Sequence, residues 1–325
     1  MAGKKIVKIT TIGGGSGQYV LLSGLRDIRG LDITAVVSMV DSGGSTGRLR
    51  DEFGILPPGD ILKCLLALSP NREVARKLLL TRFRAHPRLR GHNAGNMLLS
   101  ILSQYTGKFP AGVEALGEIL GVKGKIYPVT IDRATLVAEL DNGRRIYGEA
   151  AIDVPRGDVN RKIKSAFLVP HHQSMVKVYP PVIRAIKEAD FVIIGPGDLY
   201  TSIIPNFLVP GVARALKSSR TPLIYVLNLM TKFGETDDFK ANDFLNVLEG
   251  SIGRKIDWVI VNSRKPSSRL VKRYAKQKAK VVENNLRGRA GTKVIFKDIL
   301  DQAGGIIRHD TKKLAKAIEQ IIKAS

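Results

Sequence analysis

Ile6-Val7-Lys8-Ile9-Thr10-Thr11-Ile12 is a short apolar run that ends in Gly13-Gly14-Gly15-Ser16-Gly17, and an amphipathic stretch over residues 19–28 follows. That order reads as strand, glycine loop, helix. The pattern recurs along the chain. Residues 33–40 are a nearly all-apolar run of the kind buried in parallel sheets, and a glycine-rich loop at 41–48 follows it. Strands are also expected at 191–194, 223–227 and 258–261, each leading into a polar segment, with helices at 61–68, 73–83, 93–105, 181–188, 211–217 and 242–250. The middle differs: residues 126–131, 136–140 and 145–152 alternate with period two, and Asp141-Asn142-Gly143 is a hairpin turn signal. The expectation is an α/β fold with a mostly parallel sheet and an antiparallel hairpin excursion at about 125–170, in one continuous domain over 1–325.

Composition sets outer bounds. The 325 residues are 44% hydrophobic and 25% charged, which excludes a collagen-like, wholly disordered or small disulfide-rich chain. Cys64 is the sole cysteine, so no intrachain disulfide and no Cys-based zinc site is available. No apolar run approaches the ~18–20 residues of a membrane span. Met1-Ala2-Gly3-Lys4-Lys5 leads straight into the first strand, so no signal peptide and a cytoplasmic location are expected. The net charge is +23, and residues 264–325 hold 17 Lys/Arg against 5 Asp/Glu. Such a balance suits polyanionic partners. The densest run, Arg269 to Lys280, has Tyr274 as its one aromatic and matches no nucleic-acid motif, so a solvated surface is preferred to nucleic-acid binding.

Polar loops at 13–17, 41–48, 195–202 and 228–236 each follow an apolar strand. In an open parallel sheet, ligands bind outside the carboxyl ends of the strands. The first loop is neither standard phosphate motif. A dinucleotide fingerprint needs glycine at its third and sixth positions, yet Gln18 or Val20 stands at the sixth; a P-loop needs Gly-Lys-Ser/Thr, and no lysine follows Gly17. Its unhindered N–H groups at a helix start still suit an anion, and Ser16 adds a hydroxyl. Asp41 at a strand end suits a ribose, a base or a metal-bound water; Arg48 suits a phosphate. Asp60, just before a helix, fits a capping role as well as a ligand role. His92 and Asn96 lie one turn apart behind Gly91, with Asn93 between them. His171-His172 lacks metal-ligand spacing, no HExxH or GxSxG occurs, and no metal site is assigned.

These residues, taken together, resemble a known family. The series Gly13–Gly17, Asp41-Ser42-Gly43-Gly44-Ser45-Thr46-Gly47-Arg48, Pro57-Pro58-Gly59-Asp60, Gly91-His92-Asn93-Ala94-Gly95-Asn96, the stretch from Gly195-Pro196-Gly197-Asp198 to Asn206, and Asn228-Leu229-Met230-Thr231 with Gly234-Glu235-Thr236 is similar to the YvcK branch of the CofD-like superfamily. The resemblance implies a Rossmann-like, three-layer, doubly wound fold. It also implies a cytoplasmic regulator of growth on gluconeogenic carbon, cell-wall precursor supply and cell shape, which binds UDP-sugars such as UDP-N-acetylglucosamine and acts on a cytoplasmic enzyme or as a homo-oligomer. In the CofD branch the implied activity is transfer of a phospholactyl-type group from a guanosine diphosphate adduct to a deazaflavin, with magnesium.

The ligand set implied is Gly13, Gly14, Gly15, Ser16 and Gly17 with Arg48 at the diphosphate, and Asp41 and Asn228 at ribose or base. Gly195, Gly197, Asp198, Tyr200, Thr201 and Ser202 would close the sugar end. Gly43, Gly44, Ser45, Asp60, His92, Asn93, Asn96 and Thr231 complete it. The chain departs from the family pattern at Ser42, where a second aspartate is usual, and at Lys232-Phe233, where Gln-Pro is common. Ser42 leaves that loop one carboxylate, so ligand binding is expected to depend little on magnesium.

Overall fold

The computed structural model describes residues 6–85, 89–154, 162–287 and 289–325, with positions 51–53 described by their backbone alone. The N-terminal Met1 to Lys5, part of the expected excursion (155–161) and Gly288 of the basic segment lie outside them.

The glycine-loop unit folds as its pattern dictates: β1 (Val7–Gly13), α1 (Gly15–Leu25), β2 (Leu31–Val37). Four helices follow: α2 (Gly44–Phe53), α3 (Gly59–Leu68), α4 (Arg72–Leu79) and α5 (Ala94–Tyr105). Then come α6 (Phe109–Ile119), which had no clear sequence signal, and β3 (Lys125–Pro128). The loop expected at 41–48 is shorter, because the backbone turns helical at Gly44 and Arg48 rides on α2. The helix expected to reach 83 stops at Leu79.

The excursion is smaller than its alternation suggested. β4 (Ala134–Leu140), β5 (Arg145–Tyr147) and β6 (Ile163–Pro170) form a three-stranded antiparallel sheet, and the Asp141-Asn142-Gly143 turn joins the first two. The strand expected at 126–131 is instead β3, which pairs in parallel with β2 at the edge of the main sheet. The alternation at 145–152 breaks at Gly148, which sits at φ 91, and α7 (Glu149–Asp153) follows.

The rest alternates strand and helix: α8 (Pro180–Glu188), β7 (Phe191–Ile194), a π-helical turn at Leu199–Ile203, α9 (Ile204–Leu208), α10 (Val212–Ser218) and β8 (Leu223–Val226). After these come α11 (Ala241–Ile252), β9 (Trp258–Asn262), α12 (Ser268–Ala275), β10 (Lys293–Lys297), the short pair β11 (Leu300–Asp301) and β12 (Arg308–His309), and α13 (Thr311–Ala324).

The main sheet is parallel throughout, in the order β10-β9-β8-β7-β1-β2-β3. From β1 the chain winds outward to β2 and β3, then restarts at β7 on the other side of β1 and winds outward to β10. Right-handed crossovers of opposite direction place their helices on opposite faces. Accordingly α1 packs on α3 and α13, while α8 packs on α10 and α10 on α11. Ile12, Val36, Ile194, Ile224, Tyr225 and Ile260 are wholly buried between these layers.

The basic segment at 264–325 is therefore not an appendage. β10 is the seventh strand, and α13 buries Leu314, Ala317, Ile318 and Ile321. A Cβ on Gly24 of α1 would lie 2.4 Å from the Thr311 backbone carbonyl oxygen, so the two helices meet backbone to backbone there.

Candidate functional site

The winding reverses between β1 and β7, and the crevice outside their carboxyl ends is where such a sheet takes a ligand. A cavity of about 940 Å³ lies there. Gly14 to Gly17 supply one wall, and Pro196, Gly197, Asp198, Thr201 and Ser202 the facing one. The walls touch: a Cβ on Gly17 would fall 2.1 Å from the Pro196 carbonyl oxygen.

The N-terminus of α1 is partly used. Gly15, at φ 64, donates its N–H to Asp60 Oδ2 at 2.7 Å, and Asp60 Oδ1 accepts from Lys63 Nζ at 2.9 Å. Asp60 thus sits in the first turn of its own helix α3 but caps a different one, α1, where a carboxylate is stabilised by the helix dipole. The next N–H groups, at Ser16 and Gly17, have no intrahelical acceptor. Ser38 borders them; its hydroxyl is buried and has no hydrogen-bond partner among the described residues.

Three carboxylates converge beside that turn. Asp41 is raised by burial and then by Asp60. Glu149, from α7, is raised to about 7 by burial and then by Asp41. Ser42 joins them: its N–H donates to Glu149 Oε2 at 3.3 Å, and its hydroxyl accepts from the Ala150 N–H at 2.9 Å. The loop thus has one carboxylate of its own, but α3 and α7 bring two more.

Because folded Glu149 holds its proton where the unfolded chain has lost it, stability is expected to fall as pH rises from the ordinary 4.5 to about 7. The fall attributable to it is on the order of 1–2 kcal/mol, given its partial exposure. Chemical denaturation across that range checks this: Glu149→Gln should flatten the slope relative to wild type.

A second charged group lies opposite. Lys232 Nζ donates to Asp153 Oδ1 at 2.6 Å and to Asp198 Oδ2 at 3.3 Å. Burial alone would depress this ammonium, but Asp198 and Asp153 outweigh it and hold it above its usual range. Behind them Glu235 accepts from the Tyr200 N–H and the Thr201 hydroxyl, both at 3.0 Å, and fixes the π-helical turn. Burial and then Asp198 push its carboxyl upward.

The structure divides the residues singled out from sequence. Gly14, Gly15, Ser16, Gly17, Asp41, Asp60, Gly197, Asp198, Thr201, Ser202, Asn228 and Thr231 border the cavity. Asn228 is already engaged, donating to the Gly197 carbonyl at 2.8 Å and accepting from the Tyr225 hydroxyl at 3.0 Å. Thr231 exchanges two hydrogen bonds with the Lys280 backbone.

The others support the walls. Gly13 closes β1, its carbonyl accepting from the Ser38 N–H. Gly195 continues β7 and bonds Ile12, and Tyr200 is buried. Gly43 and Gly44 start α2. Ser45 is buried, with its hydroxyl 2.9 Å from His92 Nδ1 and accepting from Asn96 Nδ2, while Asn93 caps α5. Arg48 donates to the Arg90 carbonyl at 2.7 Å, and neither Arg48 nor this histidine cluster borders the cavity.

Sequence reasoning missed a wall. Tyr274, Gln277, Ile307, Arg308 and His309 border the cavity, all from the basic C-terminal segment. Tyr274 accepts from the Ile307 N–H at 3.1 Å, and Leu270 and Tyr274 pack on Leu300 and Ile307. The signal available was the Gly304-Gly305 break, which turns the chain back so that Arg308-His309 pairs with Leu300-Asp301. Burial lowers His309 to about 4, so it stands neutral with Nε2 3.1 Å from the Leu227 carbonyl.

This arrangement defines a doubly wound α/β protein with a crevice bordered by charged and polar residues at its switch point. The chain belongs to the family described as 2-phospho-L-lactate transferase CofD, whose model matches residues 9–300. Within that family it is similar to the Bacillus subtilis gluconeogenesis factor, 37% identical over 97% of this chain and 98% of that one. The gluconeogenesis factor of Listeria monocytogenes is 35% identical over 96% of this chain and 94% of its own length. A crystal structure of a Bacillus halodurans protein superposes with a TM-score of 0.90 at 36% identity, covering 97% of this chain and all of that one. The resemblance to the YvcK branch read from the motifs is thereby shown, as is the fold class. No helix among the described residues is long and apolar enough to cross a membrane.

Proposed function

We propose that the protein is a cytoplasmic regulator of growth on gluconeogenic carbon that binds a nucleotide sugar of the UDP-N-acetylglucosamine type in the switch-point crevice. The observation that carries the reading is the start of α1. Two N–H groups there lack intrahelical acceptors, and beside them a buried hydroxyl has no partner among the described residues, in a cavity of about 940 Å³. That volume suits a ligand of nucleoside-diphosphate size, and helix N-termini suit phosphate. The names of the relatives support the physiological setting. Cell-wall precursor supply and cell shape would follow through a partner enzyme that senses the loaded state.

The carboxylates of Asp153, Asp198 and Glu235 favour a second reading, a CofD-like transferase. Oxygen donors that repel one another fit a hard divalent cation such as magnesium. When bound it would offset phosphate charge, and Asp153, Asp198 and Glu235, whose carboxylate oxygens lie within 4.8 Å of one another, would hold it. Calorimetry with UDP-N-acetylglucosamine is expected to show binding that EDTA changes little under the regulator reading, whereas the transferase reading requires binding that magnesium strengthens. Asp41→Asn should weaken binding by about 1.5–3 kcal/mol, the cost of losing a charged acceptor, while slightly raising Tm by removing repulsion. Binding unchanged in Asp41→Asn would remove this crevice from consideration. Chromatography of the ligand after incubation with a deazaflavin separates the readings: unchanged ligand supports the regulator, and turnover supports the transferase.

A further inference from the structure

Among the described residues, three permanent cations border the cavity, and a carboxylate already holds each one. Lys63 bonds Asp60, Lys232 bonds Asp153 and Asp198, and Arg308 bonds Asp301 at 2.7 Å. A diphosphate seated at α1 therefore meets, among the described residues, only lysine and arginine cations that already have carboxylate partners. The three pairs are not equivalent. Lys63 and Asp60 are one turn apart on α3, and Asp60 is pinned by the Gly15 N–H. Arg308 and Asp301 face each other across one short hairpin. Lys232 alone links separate walls: Asp153 ends α7, and Asp198 begins the π-helical turn. Asp198 also directly follows Gly197, whose Cβ position lies 3.7 Å from the Gly14 carbonyl at the start of α1.

We propose that Lys232 is an exchangeable cation, which a bound diphosphate takes from Asp153 and Asp198, unclipping α7 from the 228–236 loop. The inference rests on the nucleotide-sugar reading of the same crevice. The exchange leaves Asp153 and Asp198 beside the buried Glu235, whose carboxyl burial and Asp198 already push upward and which keeps its bonds to the Tyr200 N–H and the Thr201 hydroxyl. The Asp153 and Asp198 side chains keep 31% and 39% of their surface in water, so both can be hydrated once released. The ammonium merely passes from one set of anionic oxygens to another. Released at its C-terminal end, α7 keeps its tether to Ser42 at the other, where the Ala150 N–H and Glu149 are held. The freed end belongs to the three-stranded excursion, so ligand occupancy would be reported on that surface.

Hydrogen exchange at the α7 amides, with inorganic pyrophosphate and UDP-N-acetylglucosamine as probes, tests this on the whole chain. Either probe should speed exchange in wild type several-fold. In Lys232→Gln, α7 should exchange fast from the start and respond to neither probe, and UDP-N-acetylglucosamine affinity should fall about tenfold, as for a lost charge-assisted bond. Lys232→Arg should restore both behaviours. Asp153→Asn should also free α7, yet bind pyrophosphate at least as tightly as wild type, because it removes a competitor for the ammonium. Uridine, which carries no phosphate, should bind wild type and Lys232→Gln alike. Equal UDP-N-acetylglucosamine affinity in wild type and Lys232→Gln would overturn the exchange while leaving the nucleotide-sugar reading intact. Pyrophosphate-driven release of α7 without UDP-sugar binding would support the exchange and overturn that reading. No response of wild-type α7 to either probe would overturn the exchange outright.

Discussion

Ile318→Asp is expected to lower the free energy of unfolding by about 4 kcal/mol or more, enough to leave a protein of ordinary stability largely unfolded on mild heating. Ile318 is wholly buried in α13, on the stripe with Leu314, Ala317 and Ile321 that faces the core. The substitution removes apolar burial and also places a carboxylate where neither water nor a cation reaches it. Urea unfolding checks it through the shift in midpoint. Paired with it, Lys272→Glu and Lys276→Glu lie at exposed positions at the end of α12 and should each stay within about 0.5 kcal/mol of wild type. A basic arm appended to the fold would tolerate all three changes alike; the α13 packing described above predicts one severe effect and two near-neutral ones.

Gly17→Val should cost about 3 kcal/mol and abolish ligand binding in whatever fraction stays folded. The added Cβ would lie 2.1 Å from the Pro196 carbonyl oxygen, and that backbone, unlike a flexible side chain, cannot turn aside. Either α1 or the 195–202 segment must shift, and between them they form both facing walls of the crevice. Ser16→Val, at the neighbouring exposed position, separates the two effects: its Tm should match wild type while phosphate-dependent affinity falls. Thermal unfolding and calorimetry on the two variants give the comparison. A stable Gly17→Val protein that binds normally would show that the walls are not in contact.

The sheet was legible where the code is local. Residues 7–13, 191–194 and 223–226 are apolar runs closed by glycine or asparagine, and a buried parallel strand has no other simple signature. The signal failed where a neighbour overrode it. Residues 145–152 alternate as a strand should, yet Gly148 ends the strand and Glu149 begins a helix, because that turn brings Ser42 and α7 together. β10 escaped notice because Lys293 and Lys297 bracket only three apolar residues, as suits an edge strand.

The site was legible in the same uneven way. Gly14–Gly17 and the 197–202 stretch announce themselves as loops after strands. Glu149, Lys63 and Arg308 carry no such mark; each reaches the crevice through long-range packing that no spacing rule encodes. Arg48 and His92 look like ligands in sequence, and the fold instead seats them around α2 and α5.

The central strand β1 lies between β2, formed soon after it, and β7, made some 180 residues later, while Ile307–His309 close the crevice from near the end of the chain. During synthesis, then, the first glycine loop emerges long before most of its surroundings exist. A fragment ending before β12 would hold α1 and all seven strands of the main sheet but would lack the Arg308 and His309 border of the crevice. Such distant pairing also slows folding, because long loops must close before their contacts reward it. Under the proposed reading, a ligand would stabilise chains that include residues 307–309 more than fragments that stop short of them.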